Sequence, residues 1–324
     1  MRPSNDPCYN DRVLSACIVN WNTNNELRAC LRALAAHPYT GPGGQEIVVV
    51  DNASEDGSAD MVRAKFPHVR LLANAANENY ARGTNQALAA ASGDLLLLLN
   101  PDVEVTPGAL DTLAAFLQAQ FDAAAAAPRL VHPDGRVQAS VRGFPGPVPL
   151  LCDIFGLARV FPGSRRMAAY RMPFFDYGRP GPAPQPMASC LLLPRAAFEF
   201  VGPMDERFPL FFNDVDWCLR AWQAGRSIYY TPDAHVVHLG GASTGKVRAA
   251  AVWESHRALL EFYKKHYRRR TSPPLYHLVR AVVTLGAWAR TGRWGKRFER
   301  EGNAGSADMH RELERPRGPA DLPR

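Results

Sequence analysis

No two of the six cysteines (Cys8, Cys17, Cys30, Cys152, Cys190 and Cys218) stand close enough to form a CxxC or Cys/His motif. That spacing excludes the usual zinc and dithiol signatures and fits a reducing compartment, where Cys behaves as a small hydrophobe. Long apolar runs are missing too: nothing approaches the ~18 residues a spanning helix needs. Residues 1–12 are polar and carry no apolar core of a secretory signal, so the expected location is cytoplasmic. Acidic residues are absent from residues 262–298, which hold ten Lys and Arg. The formal charge of +7 therefore sits in that one stretch and describes its partner, while the remainder is close to neutral. Internal repeats are absent as well. With 324 residues, 46% of them hydrophobic and 21% charged, the chain has the material for one large folded core.

What is present alternates. Short β-rich runs at 13–20, 46–51, 69–74 and 94–100 are separated by helical patterns, one keeping Leu27, Leu31 and Leu34 on a single face. Such alternation implies a mostly parallel sheet covered on both sides. Thr106-Pro107 reads as an N-cap and first helical residue, leading a stripe of Leu110, Leu113, Ala114, Leu117 and Phe121. Proline and glycine are frequent from 128 to 186, so loops and short elements are expected there. A strand is expected at 187–193, a helix at 215–224, and two further strands at 227–230 and 234–239.

In open α/β sheets, ligands bind beyond the carboxyl ends of the strands. Three polar clusters fall at such ends: Asp51-Asn52, then Asn74 through Asn85, then Asn100-Pro101-Asp102. Turn-making and capping would explain any one of them. Three in succession point to a shared polar site.

The runs VVVDNASEDGS, NENYARGTNQAL, LLLLLNPDVEVTPGAL and FFNDVDWCLRAWQAG occur in that order. Together they resemble family 2 glycosyltransferases of the GT-A fold, the rhamnosyltransferase-like branch in particular, from about residue 14 to about 244. The resemblance implies an α/β, Rossmann-like, mostly parallel sheet flanked by helices, followed here by a C-terminal helical extension. It also implies inverting transfer of a sugar from a nucleotide diphosphate to an acceptor hydroxyl, with a divalent metal (Mg or Mn). The branch favours dTDP-rhamnose as donor and a glycan or lipid-linked acceptor in cell-envelope synthesis.

Asp51 resembles the aspartate that contacts the nucleotide, where a carboxylate suits ring N–H and sugar hydroxyl donors. Asn52 and Asn85 join it in the expected donor-binding set. Asn79 stands where the family usually has Gly, and Asn tolerates positive φ. Arg82 is the expected cation near the diphosphate. Asn100-Pro101-Asp102 resembles the DxD metal motif with its first Asp replaced. Asp102 can then be the one carboxylate ligand, with Asn100 in a lesser role, because phosphates and water supply other hard oxygens. Residues 211–216 resemble the family's base motif with Asn213 in the Glu position. Asp214 matches the base; Asp216, two residues on, points to nearly the opposite side of a helix. His238 matches a metal-completing histidine, whereas His235 belongs to the opposite strand face.

Gly240 to Lys246 fits the start of a P-loop, but Val247 occupies the Ser/Thr position, so a glycine-rich loop near the diphosphate is expected instead, with Lys246 or Arg248 assisting. The organisation expected is a tail (1–12), a transferase domain (13–261), a basic amphipathic segment (262–298) and a disordered tail (299–324). Within the domain, 13–127 is the nucleotide-sugar half and 128–261 the acceptor and base half. The basic segment mixes aromatics with unopposed charge and fits an interfacial helix on anionic lipid; no nucleic-acid-binding motif accompanies it. Three rivals remain. An NAD oxidoreductase would need GxGxxG where Asn20-Trp21-Asn22-Thr23 stands. A sugar-nucleotide pyrophosphorylase would need a Gly-rich amino-terminal loop. A catalytically impaired nucleotide-sugar-binding homologue is suggested by Asn100 and Asn213.

Overall fold

The computed structural model describes residues 12–240 and 248–298, with side chains from 251 to 288 in the last two helices apart from a few positions. In chain order the elements are β1 (Leu14–Asn20), α1 (Asn24–Ala36), β2 (Gln45–Asp51), α2 (Ser58–Lys65), β3 (Arg70–Ala73), α3 (Asn79–Ala90), β4 (Leu95–Leu99), β5 (Val103–Val105), α4 (Ala109–Gln118) and β6 (Ala123–Val131). Then come β7 (Val141–Arg142), α5 (Pro147–Ile154), α6 (Leu157–Val160), β8 (Gly181–Pro182), β9 (Gln185–Pro186), β10 (Cys190–Pro194), α7 (Arg195–Val201), α8 (Asn213–Gln223), β11 (Ser227–His238), α9 (Arg248–His266) and α10 (Pro273–Phe298).

The main sheet runs β3-β2-β1-β4-β10-β6-β11-β5. Its first four strands are parallel, and β10 enters antiparallel between β4 and β6. Beyond it β6 and β11 are parallel, and β5 closes the edge antiparallel to β11. Burial on both faces explains why β1 and β4 are apolar at nearly every position. Successive side chains alternate between two cores. Leu14, Ala16 and Ile18 pack with α1, α2 and α4, while Cys17, Val48 and Leu98 pack with α3, α7 and α8. The five described cysteines are all free and buried.

Two expected details differ. Helix α4 begins at Ala109 behind Gly108 (φ 71), and Thr106 donates its hydroxyl to the His235 carbonyl at 2.7 Å rather than capping. Phe121 lies past the helix and is 97% exposed, so the apolar stripe ends at Leu117. The two strands expected at 227–230 and 234–239 are one strand, β11, irregular between Thr231 and His235.

Helix α9 runs unbroken past residue 262, and Phe262 and Tyr263 are buried. Tyr263 packs with Tyr276, Val279 and Val283 of α10 and Leu150 of α5. Among the described residues no helix is long and apolar enough to cross a membrane. Residues 1–11, 299–324 and the glycine-rich 241–247 with Lys246 lie outside the described residues, as does the side chain of Arg248.

Candidate active site

The polar strand ends meet. At the end of β2 the buried Asp51 carboxylate accepts hydrogen bonds from Asn20 Nδ2 (2.7 Å), Ser54 Oγ (2.7 Å) and Ser54 N (3.0 Å). Asn52, also buried, donates to the Asn79 carbonyl at 3.0 Å and accepts from Asn74 Nδ2 at 2.8 Å. These bonds pull the start of α3 onto β2. Gly83 makes the approach possible: a Cβ there would lie 2.9 Å from Val19 Cγ1 and 3.2 Å from Asn52 Nδ2. Asn79 sits at φ 68, in the left-handed region that Asn tolerates.

Two expected donor-binding residues are otherwise engaged. Asn85 clamps Met204, donating to its carbonyl at 3.0 Å and accepting from its N–H at 2.9 Å, with Glu206 3.2 Å from the amide nitrogen. Both amide hydrogens are used inside the fold, so Asn85 holds α3 to the 203–206 turn. Arg82 pairs with Glu78 at 3.0 Å one turn earlier on α3, with its side chain 39% exposed.

At the end of β4, Asn100 accepts from the Tyr80 hydroxyl at 3.0 Å and its backbone N–H donates to the Ser189 carbonyl. Tyr80 was not singled out by sequence; its place inside NENYARG, an aromatic amid polar residues, was the available signal. Burial raises its phenol pKa, and the charges of Asp214 and then Asp102 push the same way.

Asp102 and His238 are both buried, and Oδ1 of the first lies 3.6 Å from Nε2 of the second. That is longer than a hydrogen bond. Gln138 explains the histidine's state. Its Nε2 donates to the His238 carbonyl at 2.7 Å and contacts His132 Nδ1 at 3.0 Å, so both amide hydrogens are used. Its Oε1, 2.8 Å from His238 Nδ1, must then accept a proton from that nitrogen. In the neutral ring so oriented, it is Nε2 that carries the lone pair, and it faces the Asp102 carboxylate. Two facing acceptors suit a cation, and an imidazole oriented through its second nitrogen is how metal-binding histidines are commonly held. The donor set fits Mg²⁺ or Mn²⁺ as a partial cage: among the described residues, no group of three or more His, Cys, Asp or Glu is gathered for a metal. His235, on the other strand face, is exposed. Replacing Gln138 by Leu should free the ring and weaken metal-dependent nucleoside diphosphate binding by about 10–100-fold, read by calorimetry with Mn²⁺.

Helix α8 carries the last pair of carboxylates. Phe212, at φ 70, turns the chain into it, and Asn213 donates to the carbonyls of Phe208 (3.2 Å) and Leu210 (3.0 Å). A Glu carboxylate could not make those donations. Asp214 is partly exposed and accepts from Val215 N at 2.8 Å. Burial raises its pKa above the ordinary carboxylate value, against opposing backbone hydrogen bonds from Val215 and Ala188. The backbone N–H of Ala81 donates to the Pro209 carbonyl at 3.0 Å, fastening α3 to the loop before α8.

Asp216 points elsewhere. It is fully buried and meets Arg220 Nε (2.8 Å), Lys265 Nζ (2.5 Å) and His266 Nε2 (2.7 Å). Burial pushes its pKa up, but the bonds from His266, Lys265 and Arg220 prevail and hold it below the ordinary value. Lys265 also bridges to Asp205 at 2.7 Å. The lysine is therefore part of the fold's interior wiring, unlike Lys264 and Arg268 to Arg270, which belong to the basic stretch.

A cleft of about 490 Å³ lined by Arg12, Phe121, Arg195 and Arg226 opens at the opposite, amino-terminal end of the parallel strands, away from these groups.

The chain belongs to glycosyltransferase family 2, whose model, "Glycosyl transferase family 2", matches residues 15–177. The N-acetylglucosaminyl-diphospho-decaprenol L-rhamnosyltransferase of Mycobacterium tuberculosis is 30% identical over 254 residues, spanning 74% of this chain and 81% of that protein. The fold matches the mannosyltransferase PcManGT from Pyrobaculum calidifontis, solved with GDP-Man and Mn²⁺, at TM-score 0.54 and 17% identity over 95% of this chain and 82% of that one. It also matches GalNAc-T7, solved with UDP, GalNAc and Mn²⁺, at TM-score 0.53 and 16% identity over 71% of this chain and 44% of that one.

Proposed function

We propose that this glycosyltransferase transfers L-rhamnose from dTDP-rhamnose, with inversion, to a hydroxyl of a lipid-linked glycan acceptor in cell-envelope synthesis. The observation that carries the mechanism is the facing pair of Asp102 and His238, 3.6 Å apart at the ends of β4 and β11, with α3 fastened by Ala81 to the loop that leads into Asp214 and α8. The 30% identity to a rhamnosyltransferase acting on a diphospho-decaprenol acceptor supports the donor and acceptor classes. The strain at Phe212, two residues before the Asp214 carboxylate, is of the kind stored at functional sites.

In this reading Asp51 and Asn52 bound the nucleotide at the end of β2, and Asp102 with His238 Nε2 holds a divalent metal. When bound, such a metal supplies positive charge to the departing diphosphate. Asn100 is fixed by Tyr80 beside it and completes the polar rim. Asp214 takes the proton of the acceptor hydroxyl as that oxygen attacks the anomeric carbon opposite the diphosphate. Its raised pKa makes it a stronger base than an ordinary Asp. The acid limb of kcat/KM should accordingly lie above the ordinary Asp value of 3.8, with activity lost as pH falls through it.

The basic stretch 262–298 serves, in the same reading, as a peripheral anchor on the inner face of the cell membrane, through exposed Lys264, Arg268, Arg269, Arg270 and Arg280. Each cation near an anionic surface contributes roughly 1 kcal/mol, attenuated by salt.

Asp102→Ala should weaken Mn²⁺-dependent binding of the nucleoside diphosphate, and His238→Ala should act in the same direction with a smaller effect. Unchanged diphosphate affinity in Asp102→Ala, or full turnover in excess EDTA, contradicts the metal's role. The donor is tested by screening nucleotide sugars for thermal stabilisation with Mn²⁺ or Mg²⁺ and assaying those that stabilise. Stabilisation by other nucleotide sugars but not by dTDP-rhamnose would refute the donor assignment alone.

A further inference from the structure

Residues 154–167 run from the end of α5 through α6 and the turn beyond it. They expose six large apolar side chains: Ile154, Phe155, Leu157, Val160, Phe161 and Met167. Phe155 and Val160 are 64% and 67% exposed, although α6 is only Leu157–Val160 and its one buried residue is Ala158. Single exposed apolar residues are ordinary, but a run of them within one short excursion marks an interaction surface. Exposed cations are interleaved with them: Arg159, Arg165 and Arg166. The one acid nearby, Asp153, is already held by Arg171. Every uncommitted charge in the excursion is therefore positive.

The surroundings extend the same chemistry. Leu150 of α5 packs against Tyr276, Val279 and Val283 of α10. On another side of α10, Leu278 and Leu285 are 50% and 67% exposed, while the exposed Arg280 lies over the Tyr276 ring. The excursion is tied back to the domain at its far end: Tyr170, three residues after Met167, accepts from Gly143 N at 2.9 Å through its carbonyl.

We propose that residues 154–167 form a bilayer-docking element, with Phe155, Val160 and Phe161 entering the boundary between headgroups and acyl chains of an anionic membrane while Arg159, Arg165 and Arg166 meet the headgroups. This rests on the lipid-linked acceptor proposed above and gives it a structural consequence: docking sets the acceptor sugar's height against Asp214. The occupant is lipid because the exposed apolar side chains alternate with exposed cations and the acid beside them, Asp153, is held by Arg171. Amphipathic surfaces of this composition seat their apolar face at the headgroup boundary with basic residues around it. The element supplies the apolar, salt-insensitive part of binding, and its three arginines add to the charge supplied by the 262–298 cations.

The test is co-sedimentation of the full chain with phosphatidylcholine vesicles and with vesicles containing phosphatidylglycerol, at low and high salt. The wild type should prefer anionic vesicles. Phe155→Ser combined with Val160→Ser and Phe161→Ser should bind at least about tenfold more weakly at either salt, since the apolar part of the binding is lost with them. Arg159→Gln combined with Arg165→Gln and Arg166→Gln should lose mainly the salt-sensitive part. Both variants should melt as the wild type does and keep turnover on a short soluble acceptor, because none of these residues belongs to the proposed chemistry. Vesicle binding by the Ser variant equal to wild type, or no binding by the wild type, overturns the proposal. So does a dimer-to-monomer change in the Ser variant with unaltered sedimentation, which would assign the surface to a second copy of the chain. Failed docking with intact turnover refutes this element alone; absent turnover on every soluble acceptor with intact docking refutes the catalytic reading alone.

Discussion

Asp214→Asn is expected to lower kcat by about 10²–10⁴-fold while leaving nucleoside diphosphate affinity nearly unchanged, since a general base acts on the acceptor's proton alone. The variant should also be at least as stable as the wild type at neutral pH. A carboxyl whose folded pKa is raised by burial is disfavoured in its charged form, so its ionisation opposes folding above the ordinary carboxylate range. An uncharged amide of the same shape removes that penalty. A dead enzyme with an undiminished melting temperature is the signature of a group placed for chemistry. A melting temperature that falls with the activity would place Asp214 among the structural carboxylates instead.

Asp216→Asn should behave in the opposite way. Its carboxylate is the shared partner of Arg220, Lys265 and His266 and is fully buried. Removing one member of a buried ionic group leaves the others uncompensated, typically at about 3–5 kcal/mol. The lower end is expected here, because the Lys265 and Arg220 side chains each retain 21% exposure and Lys265 keeps Asp205. The loss should show in denaturant unfolding. The same carboxylate makes the fold acid-sensitive: its folded pKa is depressed, so its stabilisation is present above the ordinary Asp range and disappears as pH falls through that range and below. Remaining native protein should retain transfer activity. Active enzyme from Asp214→Asn and inactive, fully stable enzyme from Asp216→Asn would reverse the two assignments.

The contrast between these neighbours was partly legible in the sequence. Their two-residue spacing on a helix separates them by roughly 200°, so only one can face a shared site. Which partners the other meets was not legible, because Lys265 and His266 stand 49 and 50 residues away on α9. The strand-end clusters of Asp51, Asn100 and Asp102 were legible for a related reason. Parallel strands all end on one side of the sheet, so chain order alone gathers them. Gln138 shows the limit. It lies in a stretch rich in proline and glycine with no periodicity, and it acts on a histidine 100 residues later. Nothing local distinguishes it from a solvated glutamine. Asn85 shows another side of that limit: its motif points to the donor, and the sequence does not show that its amide also secures Met204. Similarly, the absence of acids within 262–298 suggested a wholly unopposed charge, yet Lys265 is neutralised by Asp205 and Asp216 from other elements. Local composition carries the surface of that helix pair and misses its buried side.

The central claim is inverting transfer with Asp214 as the base, and the configuration of the product tests it most directly. The purified chain, Mn²⁺, the stabilising nucleotide sugar and a short soluble analogue of the acceptor should yield a glycoside whose anomeric proton, read by NMR, reports the configuration opposite to the donor's. The Asp214→Asn protein should form no detectable product over the same period. A product that retains the donor's configuration, or one formed at the wild-type rate by Asp214→Asn, would contradict the account.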